Sequence, residues 1–286
     1  MKIIRYFFEF LFIIILFTIF RILGLKLASN FGSYIGKILG PFFRSKKINN
    51  SNIKKAFPKI DEKDINTIAK KMWKNYGRIL SEYIFIKKFR QSTNEEFFKI
   101  EGKEVLIDLK QSKEPVIFIS GHFDNFELMA MQLEKAGLNL AAIYRPLNNI
   151  FLNKIMERIR KKYICKNQIK KGRSGTREIL EFIKKKYSIA LMIDQRVSEG
   201  IQSDFFGHPA FTTTIPAQLV KKFGCKIVPV YIKRIKENEF KLTINKPIIF
   251  EKNSSIEEIT LNLNKWLEKM ILTNPSQWIW SHNRWK

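Results

Sequence analysis

Short apolar runs alternate with segments of helical periodicity from residue 115 onward, and this alternation restricts the fold more than any other feature. The runs PVIFIS, LNLAAIY and SIALMID are short and almost continuously apolar, as is typical of strands buried on both faces of a sheet. Helical patterns separate them, such as NFELMAMQLEKAG, which ends at Gly137. This order predicts an α/β fold, in which a central, largely parallel or mixed sheet is flanked by helices.

The remaining segments fit the same plan. KIVPVYI and FKLTINKPIIF are predicted as further strands, and helices are predicted at 61–89, 150–162, 175–186 and 255–272. With 286 residues, of which 45% are hydrophobic, the chain has ample material for a core. No internal repeat or low-complexity linker divides it, so residues 28–286 are predicted to form one domain.

The N-terminus is strongly apolar. The run FLFIIILFTIF, residues 10–20, becomes long enough to span a bilayer when its flanks are included. Those flanks contain Glu9, Arg21 and Lys26, and a charge at the bilayer centre costs roughly +2.5 to +3.5 kcal/mol. Because these charges lie near the ends, where they can reach the interface, a spanning helix and an interfacial helix both fit. A cleaved signal peptide is disfavoured, since no small-residue cleavage site follows the run. We therefore predict residues 1–27 as a membrane-anchor helix.

The composition is basic. Lys and Arg outnumber Asp and Glu by 52 − 26 = 26, and the pI is about 10.0. Such a surface favours an anionic partner: nucleic acid, acidic lipid headgroups, a phosphorylated substrate or an acidic carrier protein. A solvated, lysine-rich surface without a specific partner is the plain alternative. The two cysteines, Cys165 and Cys225, are far apart and indicate neither a disulfide framework nor a C-x-x-C metal or redox pair.

One of the three histidines stands at the predicted mouth of a strand, within ISGHFDNFE at residues 119–127. In open α/β sheets, sites gather beyond the carboxyl ends of the strands, which is where His122 falls. If His122 lies in the turn and Glu127 opens the next helix, the carboxylate can orient one ring nitrogen and leave the other as a base. Asp124 and Asn125 are better suited to capping that helix.

The same residues have a plainer explanation, in which His122 merely ends a strand and Glu127 is a solvated helix residue. The H-x4-E spacing is too short a pattern to decide between the two. A zinc site has little support, because no second His or Cys stands nearby at ligand spacing. The sequence contains neither a G-x-S-x-G elbow nor a P-loop.

Six ordered blocks carry more information than the dyad alone: GHFDNFE, YRPLNN, GRSGTREIL, MIDQ, FFGHPAFTTT and PSQWIWSHNRWK. Together they resemble the bacterial lipid A biosynthesis late acyltransferases, the lauroyl and myristoyl transferase family within the lysophospholipid acyltransferase-like superfamily. The resemblance extends from the N-terminal apolar helix to the last residues. It implies an O-acyltransferase that moves a fatty acyl chain from a thioester to a hydroxyl of a lipid A precursor at the inner membrane.

The resemblance also implies roles for particular residues. His122 and Glu127 match the family's H-x4-D/E motif, as general base and orienting partner. Three further positions match residues that line the substrate-binding cleft: Arg145 in YRP, Arg173 at the start of the next helix, and Asp194 in MIDQ. The two arginines are suited to bind a phosphate or a carbonyl oxyanion. No metal and no cofactor is implied. FFGHPAFTTT resembles the family's loop before a helix, and His208 within it is interpreted as structural.

The implied partners are an acyl carrier protein, or acyl-coenzyme A, as donor and a phosphorylated glycolipid as acceptor. All are anionic, so they account for the basic composition, while the apolar N-terminus accounts for contact with the membrane. The expected location is the inner membrane, with the catalytic domain on the cytoplasmic side. Trp278, Trp280 and Trp285 near the C-terminus fit either an interfacial contact or core packing.

Three other interpretations compete with this one. A related acyltransferase acting on glycerol-phosphate or a phosphatidylinositol mannoside shares the His/acid dyad, and only the later blocks favour lipid A over it. A basic, membrane-tethered nucleic-acid binder explains the charge and the anchor but leaves the His122 block unused. No nucleic-acid-binding motif is present, so no nucleic-acid partner is predicted. An inactive scaffold is disfavoured by the intact dyad.

Overall fold

The computed structural model of the chain describes residues 2–93 and 96–286, apart from the side chain of Arg173. Within this part, a seven-stranded sheet has the order β1-β9-β8-β2-β5-β3-β4. Its strands are β1 Phe98–Glu101, β2 Ile117–Ser120, β3 Leu140–Tyr144, β4 Asn167–Lys170, β5 Ser188–Met192, β8 Ile227–Lys236 and β9 Glu239–Ile244. Every neighbouring pair is parallel except β8 and β9, which confirms the predicted α/β fold with a largely parallel sheet.

Helices surround this sheet, and two further strands form a separate hairpin. The helices are α1 Lys2–Phe43, α2 Lys46–Ala56, α3 Glu62–Glu82, α4 Ile86–Gln91, α5 Lys103–Ser112, α6 Glu127–Lys135, α7 Ile150–Ile159, α8 Arg173–Lys184, α9 Ile215–Phe223 and α10 Ile256–Thr273. The hairpin pairs β6 Ile201–Phe205 with β7 His208–Thr212. The five predicted strands from residue 115 onward and the helices predicted between them occur in the predicted order.

The centre of the sheet is apolar on both faces. β2 lies between β8 and β5, and all four of its residues are buried. Helices cover the two faces of a parallel sheet, so a central strand has no solvated side. This is the physical reason that PVIFIS and SIALMID are continuously apolar rather than alternating.

Four of the described strands were not predicted from the sequence: β1, β4, β6 and β7. β1 and β4 are four-residue edge strands with polar sequences, FKIE and NQIK, and their partly exposed faces remove the apolar signal. FFGHPAFTTT was expected to be a loop before a helix. Its central residues instead form the turn and second strand of the β6–β7 hairpin, so this expectation was wrong. His208 is the first residue of β7 and pairs with Phe205.

The N-terminal helix α1 is divided at Gly24, where the backbone leaves helical geometry with φ 73° and ψ 167°. The part after Gly24 packs so closely on α3 that a Cβ on Gly32 would lie 2.4 Å from the carbonyl oxygen of Gly77. Within the described residues, α1 is the one helix that is long and apolar enough to cross a membrane by length and composition. The division at Gly24 lies close to the predicted boundary at residue 27.

Candidate active site

A cavity of about 400 Å³ opens beyond the carboxyl ends of β2, β3 and β5. Much of its wall is apolar: Phe126, Met129, Ala130, Ala142, Ile143, Ile164, Ala190, Leu191, Met192 and Ile215. The polar side chains of His122, Glu127 and Gln195 also line it. The cavity therefore combines an apolar interior with polar groups at the sheet edge, which is the usual composition of a small-molecule or lipid site.

Strand register brings His122 and Asp194 together. Ser120 at the end of β2 pairs with Met192 at the end of β5. His122 lies two positions after Ser120, and Asp194 lies two positions after Met192. The Nδ1 atom of His122 is 2.7 Å from Oδ1 of Asp194. Sequence reasoning placed Asp194 in the cleft, and the structure makes its carboxylate the direct hydrogen-bond partner of the histidine ring.

The Asp194 carboxylate accepts every hydrogen bond that it makes. Its second oxygen, Oδ2, accepts from the His122 backbone N–H at 2.8 Å and from the Trp278 Nε1–H at 2.8 Å. Burial acts to raise the pKa of this carboxyl, but attraction to His122 and these hydrogen bonds outweigh it and lower the pKa to about 2. An ionised carboxylate has no proton to donate, so Nδ1 of His122 carries the ring proton.

The tautomer set by Asp194 leaves Nε2 of His122 unprotonated when the ring is neutral. Nε2 lies 3.3 Å from the side-chain nitrogen of Gln195, which also lines the cavity. The ring packs edge-on against Phe126 with 4.6 Å between ring centroids. The histidine is thus oriented on three sides, with its basic nitrogen at the cavity.

Glu127 does not hold the histidine ring, contrary to the predicted geometry. Its carboxylate accepts from Arg160 Nε at 3.0 Å to Oε1 and 3.3 Å to Oε2, with a closer contact from Arg160 Nη2. Arg160 begins a π-helical turn, Arg160–Ile164, directly after α7. Because Glu127 is the first residue of α6, its side chain reaches across to that turn, while the strand register supplies Asp194 to His122.

Four basic side chains line the cavity: Arg44, Arg145, Arg160 and Lys171. Among the described residues around the cavity, Glu127 is the only acidic one. Burial, together with the neighbouring charge of Arg145, lowers the pKa of Lys171. Arg173 is the first residue of α8, but its side chain lies outside the part that the structure describes. The cavity is therefore suited to an anionic ligand.

A family model described as bacterial lipid A biosynthesis acyltransferase matches residues 1–286. The chain belongs to this family. Family membership confirms the predicted resemblance and the enzyme class, an O-acyltransferase of the lipid A type.

Individual relatives have low sequence identity to this chain but align with it over most of their length. The lipid A biosynthesis palmitoleoyltransferase of Escherichia coli K12 is 24% identical over 262 residues, covering 89% of this chain and 83% of that protein. The lipid A biosynthesis lauroyltransferase of the same strain is 23% identical over 264 residues, covering 89% and 84%. A lipid A biosynthesis acyltransferase of Haemophilus influenzae is 22% identical over 250 residues, covering 85% and 78%.

Sequence patterns did not indicate the roles of Arg160 and Trp278 in this candidate site. Arg160 lies in the basic run RIRKKY, where nothing distinguishes it from solvated neighbours. Trp278 was expected either at an interface or in the core, and it is fully buried with its N–H on Asp194. The PSQWIW block is part of the family resemblance, but it did not indicate that Trp278 donates a hydrogen bond to Asp194. In the described residues, no group of three or more His, Cys, Asp or Glu is placed to hold a metal ion.

A buried ionic network holds the turn that carries His122. Asp124 has a positive φ of 42° and accepts from Arg234 Nη2 at 3.0 Å. Arg234 also donates to Glu82 at 2.7 Å, and Asn125 donates to Glu82 at 3.0 Å. The predicted capping role of Asp124 and Asn125 was wrong, because Phe126 precedes α6 without a side-chain cap. The acyltransferase thus uses these two residues to fix the turn against α3 and β8.

The other described histidines have structural positions. His282 accepts a hydrogen bond at Nε2 from the Arg196 backbone N–H at 3.0 Å. Burial lowers the pKa of His282 to about 4, so the ring is neutral at physiological pH. Neither His282 nor His208 lines the cavity beside His122.

Proposed function

We propose that this acyltransferase moves a fatty acyl chain from a thioester to a hydroxyl of a lipid A precursor, with His122 as general base. One observation carries the proposal: the basic Nε2 of His122 faces an apolar cavity, while Nδ1 is held at 2.7 Å by the ionised Asp194. A carboxylate in this position fixes the tautomer and stabilises the imidazolium as it forms.

The reaction needs no covalent enzyme intermediate, and His122 relays one proton from the attacking hydroxyl to the departing thiolate. The acceptor hydroxyl displaces Gln195 from Nε2, and its oxygen attacks the thioester carbonyl as His122 takes the proton. The C–O ester bond forms, the C–S bond breaks, and the imidazolium returns the proton to the departing thiolate. The apolar wall of the cavity receives the acyl chain, where burial of each methylene contributes about 0.8 kcal/mol.

Arg160 is suited to stabilise negative charge in this reaction. Glu127 holds its Nε and Nη2, while Nη1 is buried without a hydrogen-bond partner in the structure. A guanidinium fixed in the cavity wall can stabilise the carbonyl oxyanion or an anionic substrate group. In this proposal Glu127 acts through Arg160, and Asp194 takes the orienting role that the sequence assigned to Glu127.

The anionic partners follow from the charge around the cavity. We place the phosphorylated glycolipid acceptor against Arg145 and the neighbouring Lys171, with Arg173 as a further candidate from the motif match. The donor in this proposal is an acyl carrier protein, with acyl-coenzyme A as the alternative thioester. We propose the inner membrane as the location, with the catalytic domain on the cytoplasmic side where acyl thioesters are made.

The proposal is tested with His122→Ala in membranes supplied with labelled acyl carrier thioester and a lipid A precursor. Loss of a general base should lower the transfer rate by about 10² to 10⁴. His208→Ala is the matched control, because His208 lies in the hairpin away from the cavity lining. A His122→Ala enzyme that keeps more than a tenth of the wild-type rate would refute the assignment. Mass spectrometry of the products with glycerol-phosphate and phosphatidylinositol mannoside acceptors tests the two competing acceptor classes.

A further inference from the structure

The first part of α1, before Gly24, has two different faces along its whole length. On one face, large apolar side chains are exposed every three or four residues: Ile4, Phe8, Phe12, Ile15, Ile19 and Ile22. The opposite face is partly or fully covered by the rest of the protein: Tyr6, Phe10, Ile13, Phe17 and Phe20. With 3.6 residues per turn, both sets form continuous stripes. The segment therefore lies along the protein surface instead of projecting from it.

The N-terminal end of this segment is attached to α7. The side-chain nitrogen of Asn149, the residue that caps α7, donates to the Tyr6 carbonyl oxygen at 2.7 Å and to Glu9 at 3.3 Å. Phe151 packs against both Phe7 and Phe10, with 5.8 Å between ring centroids in each pair. Glu9, the acidic residue within the apolar run, thus faces a polar partner of the protein.

The other end is attached to the body of the enzyme. Phe20 is completely buried, and Lys26 just past the kink forms an ion pair with Glu237 at 3.2 Å. Elsewhere along its length, α1 also contacts the turn Tyr83–Phe85, whose tyrosine hydroxyl lies 3.5 Å from the Met156 carbonyl oxygen of α7. Two separated attachments therefore hold this helix beside α7.

α7 cannot enter the hydrocarbon core, and this limits the depth of the helix beside it. Lys154 and Arg158 on α7 are exposed, and Lys161 and Lys162 follow in the next turn, also exposed. Each such charge costs roughly 2.5 to 3.5 kcal/mol at the centre of a bilayer. At the membrane surface the same cations attract anionic headgroups, at about 1 kcal/mol for each residue. A helix fixed along α7 must therefore stay at the interface.

We propose that residues 2–23 lie in the plane of the membrane interface, with the exposed apolar stripe in the outer acyl region, and do not span the bilayer. The partner of this surface is a lipid bilayer that contains anionic headgroups, which meet the cations of α7. The inference does not depend on the acylation chemistry. It has one consequence for that chemistry: Leu147, 37% exposed, lines the cavity and precedes α7, so the mouth opens at the same interface.

Depth measurements test the proposal on the full-length protein. Phe8→Cys, Ile15→Cys and Ile22→Cys place one label on the exposed stripe at successive intervals of seven residues. Wild-type protein gives the background, since both native cysteines, Cys165 and Cys225, are buried. In vesicles of phosphatidylethanolamine and phosphatidylglycerol, depth-dependent quenching should place all three labels at one depth, about 5–10 Å inside the headgroup boundary. A label at Ile15 near the bilayer centre, with shallow labels on both sides, would overturn the proposal.

Sidedness gives an independent test. Lys2→Cys and Asn283→Cys replace exposed residues at opposite ends of the chain. In sealed vesicles, a membrane-impermeant maleimide should label both positions from the same side, because an interfacial helix keeps the N-terminus on the side of the catalytic domain. Labelling from opposite sides would establish a spanning helix, and failure of the protein to bind these vesicles would also refute the inference. Neither readout uses acyl transfer, so an inactive enzyme leaves both tests valid.

Discussion

Asp194→Asn removes one charge from the site while keeping the shape of the side chain. In the wild-type protein, the Asp194 carboxylate accepts three hydrogen bonds, from His122 Nδ1–H at 2.7 Å, the His122 backbone N–H at 2.8 Å and Trp278 Nε1–H at 2.8 Å. An asparagine has one acceptor oxygen and one NH₂ group. If its oxygen takes the backbone and tryptophan donors, the NH₂ group faces Nδ1, which must then become an acceptor.

That rearrangement moves the ring proton of His122 to Nε2, the nitrogen that must be unprotonated to accept the proton of the acceptor hydroxyl. The opposite orientation of the amide leaves two buried N–H donors facing an NH₂ group, at a cost of about 1–3 kcal/mol each. The first orientation is therefore favoured, and it abolishes the base. We expect the transfer rate to fall by about 10³ to 10⁴, which corresponds to roughly 4 to 5.5 kcal/mol in the activation free energy.

The assay compares Asp194→Asn with Glu127→Gln at saturating donor and acceptor. Glu127→Gln should lose less activity, because the amide oxygen still accepts from Arg160 and leaves the tautomer of His122 unchanged. Thermal unfolding shows that both variants are folded under assay conditions. A larger loss in Glu127→Gln than in Asp194→Asn, or more than a tenth of wild-type activity in Asp194→Asn, would refute the assignment of Asp194 as the orienting group.

The same variant has a pH signature in stability. The pKa of Asp194 falls from 3.8 to about 2 on folding, which corresponds to roughly 2 kcal/mol of stabilisation. Because the folded-state pKa is the lower one, this stabilisation is fully present above about pH 4 and is lost as the pH falls through about 2. The difference in Tm between wild type and Asp194→Asn should therefore narrow over that range.

Three further predictions concern other parts of the structure. Folding lowers the pKa of His282 to about 4, so the free energy of unfolding should decrease as the pH falls from about 6.5 to about 4, and His282→Gln should remove that slope in denaturant titrations. Arg145→Lys should raise KM for the phosphorylated acceptor and leave slow hydrolysis of the acyl donor unchanged, because lysine cannot reproduce bidentate phosphate binding; equal losses in both would assign Arg145 to the oxyanion. Gly77→Ala would place a Cβ 1.9 Å from the Gly32 carbonyl oxygen, so α1 and α3 must separate and Tm should fall by several degrees, unlike that of the exposed Lys74→Ala.

The central strands were predictable because burial on both faces leaves a continuous apolar run in the sequence. β2, β3 and β5 all fall within predicted runs, and their carboxyl ends surround the cavity. The edge strands β1 and β4 could not be predicted, since a short strand with one neighbour has little apolar surface to bury. The sheet edge that bears the site was therefore predictable, although the full extent of the sheet was not.

The partner of His122 could not be identified from spacing alone. Glu127 is five residues away in the sequence, whereas Asp194 is 72 residues away and reaches the ring because β2 and β5 are hydrogen-bonded neighbours. β3 lies between β2 and β5 in the chain, but β5 lies between β2 and β3 in the sheet. Sequence patterns predict which segments are strands but not their order, so an acid close in the sequence was favoured over the one whose carboxylate contacts the ring.

A second set of tertiary contacts fixes the turn that carries His122. Glu82 on α3, Asp124 in the turn and Arg234 on β8 are buried together, and the side chains of Glu82 and Asp124 have no exposed surface. A buried ion pair adds little stability over apolar side chains of the same size, but removal of one member leaves a buried charge without a partner, at about 3–5 kcal/mol. The positive-φ backbone of Asp124 is thus held by residues more than 40 positions earlier in the sequence and 110 positions later. Asp194 fixes the ring and this network fixes its backbone, so both constraints on the general base come from tertiary contacts that no local pattern in GHFDNFE contains.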